Sequence, residues 1–221
     1  MRGWFQSKPK KPEIRDSLFG DLPWTRWVGA PAEALTLEPW SSFARARQSI
    51  EAGDKQGAIS TLQGILATPN LESRHYLQAF SALRQLGVDA PSQHAKDVLG
   101  VVVEVGVDKG LDLVAAYADH HARYFNYSGA AVVWERPDAR LDAAIDHLLS
   151  TAGPLAQAIG SWKGERPPAP RSGRARVNVL MPVGLHFGEG PLDALAKDRM
   201  GGPVITAAFQ LMQELIKLTK K

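Results

Sequence analysis

Apolar residues between positions 37 and 86 recur at three- and four-residue spacing, the period of one helix face. Trp40, Phe43, Ala44 and Ile50 mark a first helix that stops at Gly53-Asp54. Ala58, Ile59, Leu62, Ile65 and Leu66 mark a second, closed by Pro69. Tyr76, Leu77, Phe80, Leu83 and Leu86 mark a third, with Gly87 placed to cap it. The short separations predict antiparallel helices joined by tight turns.

Near Leu99 the apolar rhythm changes from 3.6 to 2. Residues 99–107, 111–118, 121–127 and 130–135 read as four strands, separated by Asp108-Lys109-Gly110, Asp119-His120 and Ser128-Gly129. Such short turns predict an antiparallel meander. Pro137 ends it, and Asp138 opens a helix with the stripe Leu141, Ala144, Ile145, Leu148 and Leu149, able to run past Pro154 towards Trp162. A helix in that position covers one face of the sheet. Residues 163–173 form a Pro-rich basic loop. Residues 176–181 and 185–187 read as two more short strands, and a last helix begins near Gly202-Pro203, where proline suits the first turn. The expected fold is α+β: N-terminal antiparallel helical hairpins, then an antiparallel β-meander sheet covered by helices. Its divisions are an extended basic and aromatic tail (1–36), a helical-hairpin region (37–90) and an α+β domain (91–221).

Gly53-Asp54-Lys55-Gln56-Gly57-Ala58-Ile59, followed by Leu62, Ile65 and Pro69, resembles the second helix of a tetratricopeptide repeat, in which a Gly-Asp turn precedes an Ala-Ile pair and proline closes the unit. Residues 74–87, ending Leu86-Gly87, are similar to the first helix of a following unit. The likeness covers residues 38–87. It departs from the family at Ala46 and Ser49, where glycine and tyrosine are usual. One and a half units fall short of the three or so an array needs, so the resemblance implies helices that pack on the rest of the chain.

The first 35 residues hold no period. They mix Lys8, Lys10 and Lys11 with Pro9, Pro12, Pro23 and Pro31 and with scattered aromatics. A segment of this kind drapes over its own domain, or presents Trp4 and Phe5 to a partner groove or, beside the lysines, to a membrane interface.

Composition narrows the chemistry. With no cysteine there is no disulfide framework, thiol nucleophile or thiolate metal site. No apolar run approaches the ~20 residues of a membrane span, and the first residues lack a signal-peptide apolar region, so a cytoplasmic location is expected. Residues 37–162 carry 10 basic and 14 acidic side chains, whereas residues 163–221 carry 10 and 5. The excess cations sit in the ends and the loop, not in a folded stripe, which argues against a nucleic-acid partner.

Chemistry-bearing residues are few. The run Gly184-Leu185-His186-Phe187-Gly188-Glu189-Gly190-Pro191 is the most site-like: glycines permit close ligand approach, and His186 with Glu189 suits acid–base work or polar binding. Its spacing matches neither nucleotide fingerprint. Gly188, Gly190, His121 and Arg123 complete a candidate ligand-binding set. Trp4, Phe5 and Tyr124 form a candidate partner-binding set. No metal or cofactor is expected. The leading expectation is a non-enzymatic interaction or regulatory protein, adaptor-like, binding another protein or a second copy through a sheet edge; the alternative is a small-ligand-binding domain or minor hydrolase with its pocket at a 184–191 loop.

Overall fold

A computed structural model describes residues 14–26 and 36–219. The three expected helices are present: α1 (Trp40–Glu51), α2 (Lys55–Ala67) and α3 (Ser73–Gln85). Asp54 caps α2 by accepting a hydrogen bond from the Gly57 amide at 2.9 Å, satisfying a donor that a helix start otherwise leaves free. Phe43, Ala46, Ile59, Leu62, Ile65, Ala79, Ala82 and Leu83 form the small core that holds these helices together.

The meander follows as β1 (Gly100–Val107), β2 (Gly110–Tyr117), β3 (Ala122–Phe125) and β4 (Ala131–Trp134). After α4 (Asp142–Ile159) the chain returns as β5 (Arg174–Met181) and β6 (Gly184–Pro191). All six strands make one antiparallel sheet in the order β4-β3-β2-β1-β5-β6. The two C-terminal strands therefore extend the meander from its β1 edge. A short helix α5 (Leu192–Lys197), not foreseen from sequence, precedes α6 (Gly201–Leu218).

Strand alternation divides the sheet into two unlike faces. On one, Val101, Val103, Val114, Ala116, Val177 and Val179 pack against Ile145, Leu148 and Ala152 of α4 and Val204, Ala208 and Leu211 of α6. This is the main core. On the other, Val102, Leu113, Ala115, Tyr117 and Leu180 meet Leu77 of α3 and Leu18 and Phe19 of the N-terminal segment. Because Leu77 enters this second core, the helical-hairpin region and the α+β sheet share buried surface.

The described part of the N-terminal region, residues 14–26, is a strap with two 3-10 turns, Ile14–Leu18 and Trp24–Arg26. Leu18 and Phe19 are buried. The Tyr117 hydroxyl donates to the Leu18 carbonyl at 2.7 Å. Gln78 reaches across from α3, accepting from the Leu22 amide at 3.0 Å and donating to its carbonyl at 2.8 Å. Gly20, at φ 60°, lets the strap lie against α3: a Cβ there would come within 2.7 Å of the Arg74 carbonyl oxygen. Trp4 and Phe5 lie outside the described residues. Among those described, no helix is long and apolar enough to cross a membrane.

Candidate functional site

Residues 184–191 are not a loop. They pair along their whole length with β5, from Met181↔Gly184 to Arg174↔Pro191. Strand geometry then separates the proposed pair: His186, Gly188 and Gly190 face the helices, whereas Phe187 and Glu189 face the strap. His186 is buried and its Nδ1 donates to the Ala156 carbonyl at 3.0 Å, which leaves Nε2 as the unprotonated nitrogen; that atom is buried without a partner. Burial pushes the His186 imidazole below its ordinary pKa, with backbone oxygens of Ala156 and Gly160 opposing. Gly190 lies under α5, where a Cβ would stand 3.3 Å from Leu195 Cγ; nothing lies within 4 Å of a Cβ at Gly188.

Glu189 belongs instead to an ion cluster on the strap face. It accepts from Arg174 at 2.7 Å and from Arg176 through both Nε and Nη2. Arg176 also approaches Glu104 at 3.4 Å. Glu104 has no exposed surface; it is held further by Arg15 of the strap through two nitrogens and by Asn178 Nδ2 at 3.1 Å. Buried carboxylates persist only when ion-paired and hydrogen-bonded in this way. Arg15 and Arg176 both donate to the Pro167 carbonyl, at 2.9 and 3.2 Å, so the cluster ties strap, sheet and Pro-rich loop into one latch.

His121 and Arg123 are brought together, but with His75 of α3 rather than with His186. The Asp119 carboxylate accepts from the Ser73 amide at 2.6 Å and from the His121 amide at 3.0 Å. His121 Nδ1 stands 3.5 Å from that carboxylate, an ion-pair separation for a protonated ring, yet makes no hydrogen bond. His75 rests edge-on against the Trp40 ring at 5.2 Å, and burial is the main cause of its lowered pKa. Arg123 pairs with Glu135 at 3.7 Å. This is a polar joint between α3 and the β2–β3 turn. Tyr124 faces the helices, half-buried, with its hydroxyl 3.5 Å from Asp112, so it is not part of an exposed aromatic platform.

The cavity lies elsewhere. A cleft of 830 Å³ opens between the strap, the C-terminal half of α3, the turn at 161–166 and the β5–β6 hairpin end. Of the 184–191 run, only Gly184 and Leu185 reach it. Phe19, Leu77, Leu180 and Leu185 supply its apolar wall, and the half-exposed Trp162, edge-on to Phe187 at 5.2 Å, stands at its mouth.

Most of the cleft's charges answer one another. Arg166 binds Asp21 through Nε and Nη2 at 2.8 and 3.2 Å, contacts Asp16 at 2.8 Å, and stacks over Phe19 at 4.1 Å. Arg26 reaches Asp16, and Arg15 answers Glu104. Arg84 is the exception in the interior. Its side chain is half-buried, its sole hydrogen bond runs from Nη1 to the Pro182 carbonyl, and it has no carboxylate partner among the described residues. Burial pushes its pKa down, with Asp21 opposing. Ser81 and Ser161, also in the lining, make no side-chain hydrogen bond among the described residues. Lys163, Asp89 and Glu165 lie on the exposed rim.

Sequence reasoning missed Arg84, Ser81 and Ser161. A signal was present on α3: Leu77, Ser81 and Arg84 share one face at i, i+4 and i+7, so the buried stripe of an amphipathic helix turns polar where it enters the cleft. A cation in a last helical turn has a simpler explanation in the helix dipole, which hid it. Comparison of the chain with protein-family models, with curated proteins and with solved structures returned no match.

Proposed function

We propose that this protein binds a small organic anion in the cleft between strap and sheet, and acts through that binding rather than through catalysis. The observation that carries the reading is Arg84, a half-buried guanidinium in the cleft that no carboxylate among the described residues meets in a hydrogen bond or ion pair. Withdrawing a cation from water is costly unless a counter-charge replaces the lost hydration. A ligand anion supplies one. The cleft volume suits a metabolite-sized molecule, and the mix of apolar wall with a few polar groups is usual for such sites. No histidine lines the cleft, so the arrangement offers donors and charge rather than an imidazole acid–base pair.

The test is a thermal-shift screen of small anions against neutral isosteres. A ligand at 100 times its Kd stabilises by about 2.7 kcal/mol, a rise of about 5–11 °C for a chain of this size. Anions should raise the melting temperature of the native chain and not of Arg84→Met. Equal responses from both proteins would overturn the reading.

A second reading, docking to another copy or to a partner protein, is favoured by the open β4 edge. Val133 on that strand is 50 % exposed, and Tyr127 in the turn before it 51 %. Unpaired strand edges invite such pairing. Light scattering across a concentration series tests it, and a monomer throughout would exclude self-association.

A further inference from the structure

Resting on the small-anion reading, we propose that the ligand's head group is a carboxylate, held side-on by the Nε and Nη2 edge of Arg84. A guanidinium presents five N–H donors, and the edge carrying Nε–H and one Nη2–H matches the two oxygens of a carboxylate. This protein uses that edge repeatedly: Arg136 grips Asp142 through Nε and Nη2, Arg140 grips Asp138, and Arg166 grips Asp21. Arg84 is turned the other way. Its Nη1 is spent on the Pro182 carbonyl, which leaves the carboxylate-binding edge with no hydrogen-bond partner among the described residues.

The surroundings keep that edge accessible. A Cβ at Gly184 would stand 4.0 Å from Arg84 Nε and 3.9 Å from Ser161 Cβ, so the missing side chain leaves a gap between guanidinium and serine. Ser161, whose hydroxyl makes no side-chain hydrogen bond among the described residues, lines the same end of the cleft and offers a donor to the head group. Charge selects a monoanion: once Arg15, Arg26 and Arg166 are matched with Glu104, Asp16 and Asp21, one interior cation remains among the described residues. Asp21 also acts on Arg84 through space and would repel a dianion. The apolar wall of Phe19, Leu77, Leu180 and Leu185 then takes the body of the acid. The ligand class is an aromatic or aliphatic monocarboxylic acid.

Three probes with a common ring test this: benzoate, phenyl phosphate and benzyl alcohol, titrated at millimolar concentration while the Arg84 Nε–H resonance and the backbone amides are followed by NMR. Benzoate should shift the Arg84 Nε–H, and Arg84→Lys, which keeps the charge but loses the fork, should weaken benzoate at least tenfold with unchanged amide dispersion. The Nε–H readout uses the native chain and needs no variant to fold. Tighter binding of phenyl phosphate than of benzoate, an unmoved Nε–H, or full affinity in Arg84→Lys overturns the carboxylate assignment while leaving the small-anion reading in place. Benzyl alcohol binding as well as benzoate, or no binding by any probe, overturns both.

Discussion

Replacing Leu18 with alanine tests whether the strap is part of the folded core. Leu18 has no exposed surface and packs with Phe19, Leu77, Val102, Tyr117 and Leu180 between the sheet and α3. The change removes three carbons, worth about 2.4 kcal/mol at ~0.8 kcal/mol each. Adding the residual cavity puts the loss in the range of about 2–5 kcal/mol. For about 3 kcal/mol the melting temperature should fall by about 6–12 °C. There is a way for the chain to limit the damage, because the strap can peel away and hydrate the vacancy. The drop would then be smaller, but amide exchange in residues 14–26 would accelerate and the proposed anion binding would be lost with the cleft wall. Thermal melting followed by circular dichroism, paired with hydrogen exchange, separates the two outcomes. A melting point within about 1 °C of the native chain with unchanged protection of residues 14–26 would refute the core role of the strap.

Three further perturbations probe the latch and the core. Gly106→Ala would place a Cβ 2.2 Å from the Arg171 carbonyl oxygen and 2.6 Å from that of Pro170; backbone cannot retreat cheaply, so a loss of about 1–3 kcal/mol is expected, with faster proteolysis in residues 163–173. Glu104→Gln leaves Arg15 and Arg176 facing each other without their shared carboxylate, and a urea-melt loss of about 3–5 kcal/mol is expected, as for breaking a buried ion pair. His75 and His186 are both held below the ordinary imidazole value of 6.5, chiefly by burial. Between the folded and unfolded values the unfolded chain binds more protons, so the stability of the neutral rings is complete above pH 6.5 and declines as pH falls below it. Urea midpoints should therefore drop from about pH 7.5 to about pH 5.5, and His186→Gln should flatten that dependence; a midpoint constant over the range would refute the assignment.

The helices were legible from their 3.6-residue period, and β1 from its β-branched run and closing turn, since Val101, Val102 and Val103 are all buried and show no apolar–polar alternation. Val101 and Val103 alternate in facing with Val102 and Glu104, and the turn at Asp108-Lys109-Gly110 fixes the β1–β2 register, with Gly110 at φ 152°. The 184–191 run misled for a specific reason: glycines there read as a turn, but Gly190 stands in a strand where α5 approaches closely. A glycine that admits a neighbouring helix and a glycine that bends the chain look alike in one dimension. His186 and Glu189 are three apart, an odd offset, so any extended conformation sends them to opposite sides. Composition pointed to a segment draped over its own domain, but the strap's anchors were not legible, because 3-10 turns carry too few residues to establish a period and Leu18 and Phe19 are adjacent rather than spaced. The role proposed for Arg84 was invisible because it rests on the lack of a carboxylate contact among the described residues, which only the folded arrangement displays.

The latch also dictates when the molecule can be completed. Arg15 bonds to the Pro167 carbonyl, 152 positions later in the chain, and Asp16 meets Arg166 at a separation of 150. At about 5–20 residues per second, a ribosome needs about 8–30 s to deliver the second half of these contacts after the first has emerged. The strap's apolar and backbone anchors on Gln78 and Tyr117 exist well before that, so docking and locking are separate events: the segment has somewhere to rest early, and its ion pairs close only when residues 166 and 167 arrive.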